Sequence, residues 1–437
     1  MTLKETFLEK IRANEEIIGV IGLGYVGLPL AVNFAEIGIK TLGFDKSAEK
    51  VEKINSGDNY IADIRDAVLR DVVIDKLKLS ATIDFTRIAE CDALIICVPT
   101  PLDKFRKPDM SYIESASTAI GKYMKPGSFI CLESTTYPTT TEDFILPILN
   151  KHSNLVQGED FWLAYSPERV DPGNPNFHTR NTPKVLGALT EDGLEIGKAL
   201  YEKAIDSIFP VSSPRTAEMV KILENTYRLV NISLINELAL LSGKMDINIW
   251  EVIEAAKTKP FGFQAFYPGP GIGGHCIPLD PFYLEHIAKK FKFDLSMIHT
   301  AGHINMRMPH YMYIKIATAL NRHKKAVNGS RILFLGVAYK PNINDARESP
   351  ALEIMDITAH KGGDVSYHDP FVPEVRTEGG REYKSEPLDE AMLKGADCVV
   401  LTTNHKVFDS EFILKHAPLI VDLRNMIQDA SDNVSKL

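Results

Sequence analysis

Nowhere in these 437 residues do 18 or so apolar residues run on without a charge, so no segment is a candidate membrane-spanning helix. Cysteine is scarce: the five, at positions 91, 97, 131, 276 and 398, form no CxxC pair and no cysteine–histidine cluster at zinc spacing. A disulfide framework and a structural zinc are thereby excluded, no metal site is expected, and the thiols are expected to stay reduced, as in the cytoplasm. A basic excess is missing too. The 49 Lys plus Arg against 58 Asp plus Glu leave a net charge of −9, which argues against nucleic acid or an anionic membrane as the main partner. The opening MTLKETFLEKIRANEE lacks the apolar run of a secretory signal; Leu3, Phe7 and Ile11 fall on one face of a short amphipathic helix. Internal repeats and low-complexity linkers are also absent.

What is present is the composition of a globular protein, 44% hydrophobic and 24% charged, in a chain long enough for two or three domains. Ile17 to Leu23 is a continuous apolar run that ends in Gly22-Leu23-Gly24-Tyr25-Val26-Gly27 and leads into an apolar-periodic segment, Leu28 to Ile37. A second short strand, Thr41 to Phe44, closes on Asp45, about 20 residues past the first glycine, as the dinucleotide-binding fingerprint requires. The glycines let backbone amides approach a pyrophosphate at the helix N-terminus, and the aspartate accepts from the ribose hydroxyls. An acid there repels a 2′-phosphate, so NAD is expected over NADP.

The α/β alternation continues. Strands are expected at Ala93 to Val98, Ser128 to Leu132, Phe161 to Ser166 and Val185 to Ala188. In open parallel sheets ligands lie at the carboxyl ends of strands, which puts Thr100 and Thr135 where a cofactor passes. Taken alone, each is an ordinary loop threonine about as often. The loop Ser166-Pro167-Glu168-Arg169-Val170-Asp171-Pro172-Gly173-Asn174 sets an acid beside a base, which blandly is a solvated charge pair. After Ser212-Ser213-Pro214 a helix of roughly 30 residues is expected, reaching Gly243, with an apolar stripe through Val220, Leu223, Tyr227, Val230, Leu234 and Leu238. Lys221 and Asn225 stand one turn apart on it.

More helical sequence runs to about His323, interrupted by Phe266 to Leu284, FYPGPGIGGHCIPLDPFYL. Its prolines and glycines are expected to keep it an ordered loop, neither helix nor central strand. Cys276 follows Gly273, Gly274 and His275, and Asp280 comes four residues later. A lone cysteine is more often buried and inert than reactive. Here the NAD fingerprint and a loop-borne thiol together suggest oxidation through an aldehyde: a thiolate adds to the carbonyl, and the resulting tetrahedral centre can lose hydride. Lys221 and Asn225 are candidates to stabilise the oxyanion, and Asp280 or Glu168 to orient or deprotonate water. A third α/β unit opens at Arg331, with strands at Ile332 to Val337, Asp364 to Tyr367, Cys398 to Leu401 and Leu419 to Leu423 and a helix from Ser349, but without a full GxGxxG.

In order along the chain, GLGYVGLP (22–29), VPTP (98–101), EST (133–135), KxxEN (221–225), GGHCIPLDP (273–281) and Tyr339-Lys340 followed by Asp345-Ala346-Arg347-Glu348-Ser349 resemble the nucleotide-sugar 6-dehydrogenases. These oxidise the C6 alcohol of a UDP-sugar to a carboxylate with two NAD. The resemblance implies an α/β fold of two Rossmann-like domains joined by a central long helix and helical domain. It implies an NAD domain over 1–212, a helical domain with the cysteine loop and dimer interface over 213–327, and a UDP-sugar domain over 328–437. The implied nucleophile is Cys276, with Lys221, Asn225, Asp280, Glu168 and Thr135 as further catalytic residues. Cofactor contacts are implied at Gly22, Gly24, Tyr25, Val26, Gly27, Asp45, Lys50, Thr100, Thr135 and Arg347. Substrate contacts are implied at Glu168, Arg169, Lys221, Asn225, Gly273, Tyr339, Lys340 and Arg424.

Two departures stand out. A second glutamate of the UDP-glucose enzymes is replaced by Pro172, and an arginine that reaches a partner subunit falls near Pro260, with Arg169 and Lys259 as the nearest substitutes. PERVDPGN and KPFGFQAFYPGPGIGGHC resemble the branch acting on UDP-N-acetylhexosamines, most closely the UDP-N-acetylglucosamine enzymes of surface-polysaccharide synthesis. The N-acetylmannosamine and N-acetylgalactosamine enzymes, and after them UDP-glucose 6-dehydrogenase, are the neighbouring expectations. A silent nucleotide-sugar sensor is a further one. Homodimers or larger homo-oligomers joined through the central helix are also implied.

Overall fold

Eight strands, β1 (Ile17–Ile21), β2 (Lys40–Phe44), β3 (Leu79–Thr82), β4 (Ala93–Ile96), β5 (Ser128–Leu132), β6 (Phe161–Tyr165), β7 (Lys184–Ala188) and β8 (Ile208–Val211), form one sheet in the order β3-β2-β1-β4-β5-β6-β7-β8. Neighbours run parallel except β6 and β7. These are features of a computed structural model, which describes residues 1–61, 64–101, 108–171, 174, 176–274, 276–428 and 431–437. The chain divides into two units, Met1–Glu224 with Phe282–Lys292, and Asn225–Pro281 with Phe293–Leu437. The sheet of eight belongs to the first.

Its inner strands are apolar on both faces because helices cover both. Ile18 and Val20 of β1 pack with Leu28, Ala31 and Phe34 of the helix Gly27–Glu36, whereas Ile17 and Ile21 pack on the opposite side with Ile113 and Ile120 of the helix Ser111–Tyr123. Strands β4 to β7 are buried at every position, as unbroken apolar runs predict. Burying each large aliphatic side chain contributes about 1.5–3 kcal/mol. The chain moves outward from β1 to β3 and returns to β4, so the strand order reverses between β1 and β4, the place where doubly wound sheets open a crevice.

In the second unit, β9 (Arg331–Leu335), β10 (Asp364–His368), the hairpin β11 (Glu374–Arg376) and β12 (Glu382–Lys384), β13 (Cys398–Leu401), β14 (Ile420–Asp422) and β15 (Val434–Lys436) give a parallel sheet ordered β10-β9-β13-β14-β15 and an antiparallel ribbon. The helix Ser296–Arg322 lays Met308, Met312, Ile316 and Leu320 on this core at helical spacing. The fold is thus mixed α/β, with a large Rossmann-like sheet, a helical central region and a second sheet.

One expectation needs correcting. Phe266 to Leu284 is not loop throughout, because a helix spans Cys276–Ala288. Pro278 falls in its first turn, where a missing N–H costs nothing, and only Pro281 forfeits an internal hydrogen bond. On the central helix Pro214–Lys244 the buried row and the apolar stripe are different sets of residues. Ala217, Ile222, Leu229, Ile235 and Ala239 are buried, while Leu223, Tyr227, Leu234 and Leu238 are exposed. Among the described residues no helix is long and apolar enough to cross a membrane.

Candidate active site

The glycine turn after β1 shows why three glycines occur there. Gly22 has φ +94°, and a Cβ on it would lie 2.6 Å from the Cys97 carbonyl oxygen; one on Gly27 would overlap the Gly22 carbonyl. At Gly24 a Cβ would meet nothing within 4 Å, so this face of the turn is open to a ligand. The helix Gly27–Glu36 begins at Val26 with no side-chain cap, leaving amide donors for a pyrophosphate, and Tyr25 is exposed beside it. Asp45 accepts from the Leu23 amide (Oδ2, 3.0 Å) and the Ser47 amide (Oδ1, 2.9 Å), and Lys50 Nζ lies 3.7 Å from Oδ2. A carboxylate has about four acceptor positions, so capacity is left for ribose hydroxyls. Open turn, uncapped amides and acid fit NAD.

At the crevice, Ser134 Oγ donates to the Val98 carbonyl (2.7 Å), lacing the end of β5 to that of β4 and placing half-buried Thr135 at the edge. Thr100 is buried, and its carbonyl accepts from the Tyr283 hydroxyl. Below them lies a group that sequence reasoning passed over. Glu133 Oε2 pairs with Lys184 Nζ at 2.8 Å and its Oε1 accepts from the Tyr201 hydroxyl at 2.5 Å, with the lysine and carboxylate side chains 5% and 0% exposed. Burial raises the carboxyl pKa and the ammonium opposes it, whereas the lysine, despite its burial, is held well above its usual value by the facing carboxylate.

The central helix ties down the loop after β6. Lys221 Nζ donates to the Glu168 carbonyl (2.6 Å), and Glu224 pairs with Arg169 (2.7 Å), whose other nitrogen reaches the Pro183 carbonyl (2.8 Å). Glu168 Oε1 accepts from the amides of Arg169 (2.8 Å) and Val170 (2.7 Å), which fixes the carboxylate and leaves Oε2 without these contacts. The structure therefore brings Glu168, Arg169 and Lys221 together. Pro172 lies outside the described residues. Of the nearest substitutes for the missing groups, Arg169 is engaged as described, and Lys259 stands 5.2 Å over the Phe261 ring.

In the second unit, Asn225 Nδ2 donates to Asp280 Oδ2 at 2.6 Å, both residues being buried. Asp280 lies one turn after Cys276, which is exposed at the first position of its helix; helix N-termini favour a thiolate. The other four cysteines are buried, and burial pushes Cys91 and Cys398 up to about 12 and raises Cys97 and Cys131 well above the ordinary thiol value. Gly273 and Gly274 are required by contact: a Cβ on either would strike Tyr339, at 2.7 and 2.8 Å, and the Gly274 amide donates to the Arg347 carbonyl (3.2 Å). His275 lies outside the described residues.

Two residues that sequence reasoning missed pin the same loop. Asn236 Oδ1 accepts from the Gly269 amide (2.9 Å) and Asn305 Oδ1 from the Ile272 amide (2.7 Å). Single asparagines inside helices gave no signal for this. The Arg347 side chain forks onto Asp345 (2.6–3.0 Å), and Lys340 is half-buried after Tyr339. Arg424 donates through Nε to the Thr402 carbonyl (2.9 Å) and lines a cavity of about 400 Å³ with Trp250, Tyr267, Asn425 and Gln428. Burial lowers its pKa to about 10, which still leaves it cationic. The Trp250 and Tyr267 rings are nearly parallel, 17° apart at 6.2 Å.

Comparison with known proteins identifies the family. The UDP-glucose/GDP-mannose dehydrogenase family matches in three pieces: its NAD binding domain over residues 16–205, its central domain over 215–307 and its UDP binding domain over 333–429. A UDP-N-acetyl-D-mannosamine dehydrogenase of Pyrococcus horikoshii is 36% identical over 420 residues, 94% of this chain and 96% of that protein. A UDP-N-acetyl-D-glucosamine 6-dehydrogenase of Pseudomonas aeruginosa is 34% identical over 392 residues, 90% of this chain and 91% of that one. The solved structure of the UDP-D-ManNAc dehydrogenase from Pyrococcus horikoshii matches with a TM-score of 0.87 at 35% identity, over 96% of this chain and 98% of that one. With NAD-binding, central and UDP-binding portions all matched, this chain belongs to the UDP-glucose/GDP-mannose dehydrogenase family and is an NAD-dependent UDP-sugar dehydrogenase.

Proposed function

We propose that the chain oxidises the C6 alcohol of a UDP-N-acetylhexosamine, UDP-N-acetylglucosamine first, to the uronic acid in four electrons, supplying a surface-polysaccharide precursor. The observation that carries this is Cys276: it is the exposed cysteine of the five, and it opens a helix whose next turn holds the Asn225–Asp280 pair. NAD, when bound, takes up one hydride in each of the two oxidations. After the first, the Cys276 thiolate adds to the C6 aldehyde, forming a C–S bond and an alkoxide; loss of the second hydride from that carbon leaves a thioester. Water then adds, the C–S bond breaks, and the thiolate returns as the acid leaves. Lys221, whose ammonium has two N–H bonds beyond the one given to Glu168, and Asn225 stabilise the oxyanion. Asp280 or Glu168 takes the proton of the attacking water.

For the nucleotide we favour the cavity beside Arg424, whose cation suits a diphosphate and whose near-parallel rings suit a uracil, with Lys340 and Tyr339 on the sugar side. An exposed reactive thiol needs a reducing compartment, so we assign the chain to the cytoplasm. Purified protein given NAD and UDP-N-acetylglucosamine is expected to release about two NADH per sugar. One NADH with accumulating aldehyde contradicts the proposal, and tight UDP-sugar binding without NADH identifies a sensor. The Pyrococcus relative's name favours a second reading, the C2 epimer UDP-N-acetylmannosamine; the ratio of kcat/KM for the two sugars decides. UDP-glucose preferred over both would move the assignment to UDP-glucose.

We further propose a homodimer through the central helix. Leu223, Tyr227, Leu234, Leu238 and Leu241, each at least 40% exposed, recur at spacings of three to seven residues on it, a larger exposed apolar row than scattered surface residues explain. Light scattering at micromolar concentration should give twice the 48.7 kDa chain mass, and Leu234→Glu with Leu238→Glu should give the monomer. A monomeric wild type refutes it.

A further inference from the structure

Glu218 belongs to no motif named above, yet it is fully buried and three donors converge on its carboxylate. The Thr139 amide donates to Oε2 at 2.6 Å, and the Thr141 amide and hydroxyl donate to Oε1 at 2.9 and 2.7 Å. Burial raises the carboxyl to about 7, and these donors oppose the rise by favouring the ionised form.

All three donors lie in the turn that follows β5. It carries Thr135 and closes on itself through Thr136 and Thr140, whose hydroxyls are 2.8 Å apart, and through Thr140 Oγ1 donating to the Tyr137 carbonyl at 2.7 Å. Within it Thr139 has φ +86°. A β-branched residue enters that left-handed region only where its surroundings hold it there. The Glu218 oxygen on the Thr139 amide is such a restraint, and Glu218 stands three residues before Lys221 on the central helix.

We propose that Glu218 is a positioning residue for cofactor binding: by holding Thr139 in its left-handed conformation, it fixes the turn that carries Thr135 against the helix that carries Lys221. This rests on the reading of Thr135 as a cofactor contact. No part of the NAD fingerprint encodes it, because the restraint comes from a helix 77 to 79 residues further along the chain.

The test separates positioning from mere stability. Glu218→Gln turns one accepting oxygen into an NH2 group that faces an N–H donor, so the KM for NAD is expected to rise about tenfold while kcat and the Kd for the UDP-sugar stay within about threefold. Adding Thr139→Gly, which takes the left-handed backbone without a Cβ penalty, is expected to return the KM to within about threefold of wild type. A purely structural role would instead reduce the active fraction, lowering kcat at constant KM. An unchanged KM for NAD in Glu218→Gln, or no rescue by Thr139→Gly, overturns the proposal. If Glu218→Gln does not fold, Glu218→Asp, which keeps both acceptors one methylene short, carries the same two arms. Thr135→Ala checks the underlying reading on its own: no effect there on the KM for NAD sinks the role of Thr135, whatever the Glu218 variants show.

Discussion

Cys276→Ser is expected to lose steady-state NADH production by at least about a thousandfold, on the order of 4 kcal/mol of transition-state stabilisation, while binding UDP-sugar and NAD nearly as before. The argument starts from geometry. The residue is exposed at the first position of its helix, where amide N–H groups stabilise a thiolate but cannot ionise a hydroxyl at neutral pH. A serine hydroxyl nearly fills the same space, so the loop pinned by Asn236, Asn305 and Tyr339 should hold its shape. Any ester it formed would also hydrolyse more slowly than a thioester. Paired titrations of NADH and UDP-sugar binding with single-turnover kinetics check this. A variant that keeps more than a tenth of wild-type turnover would remove the covalent step from the mechanism.

The largest effect on stability is expected at Lys184. Replacing it by Met leaves the Glu133 carboxylate buried at 0% exposure with only the Tyr201 hydroxyl against it, and removing one partner of a buried ion pair costs about 3–5 kcal/mol. For a unit of this size that corresponds to a fall in Tm of about 10 °C, readable by scanning calorimetry. The double variant Lys184→Met with Glu133→Leu is expected to recover most of the loss, because it removes the stranded charge instead of exposing it. If the double is as unstable as the single, desolvation of Glu133 is not the cause.

How far the sequence could be read depended on the range of each interaction. Strands β4 and β5 were legible because a strand covered on both faces is an unbroken apolar run. β8 was not, because its Phe209 and Pro210 are exposed and interrupt the pattern. Cys276, Lys221 and Asn225 were singled out as candidates by residue type combined with the glycine fingerprint and the family resemblance, since spacing alone did not distinguish them from bland alternatives. The contacts around the cysteine loop and the Thr135 turn, Tyr339 against Gly273 and Gly274 and Glu218 on Thr139, act across tens of residues of chain and leave no local pattern. The proline-rich loop was misjudged for a physical reason as well: proline disfavours helix interiors but is welcome in a first turn, and only the position of the helix start distinguishes the two.

One helix, Pro214–Lys244, presents Glu218, Lys221 and Glu224 in under two turns. At 1.5 Å rise per residue these groups span about 9 Å, and their angular order about the axis is set by the pitch rather than by loop conformation. The helix therefore works as a ruler, and a single-residue insertion or deletion between Glu218 and Glu224 would turn Glu224 by about 100° relative to Glu218. A change in the length of this segment would put the contact to Thr139 out of phase with those to Glu168 and Arg169, which therefore constrain it together.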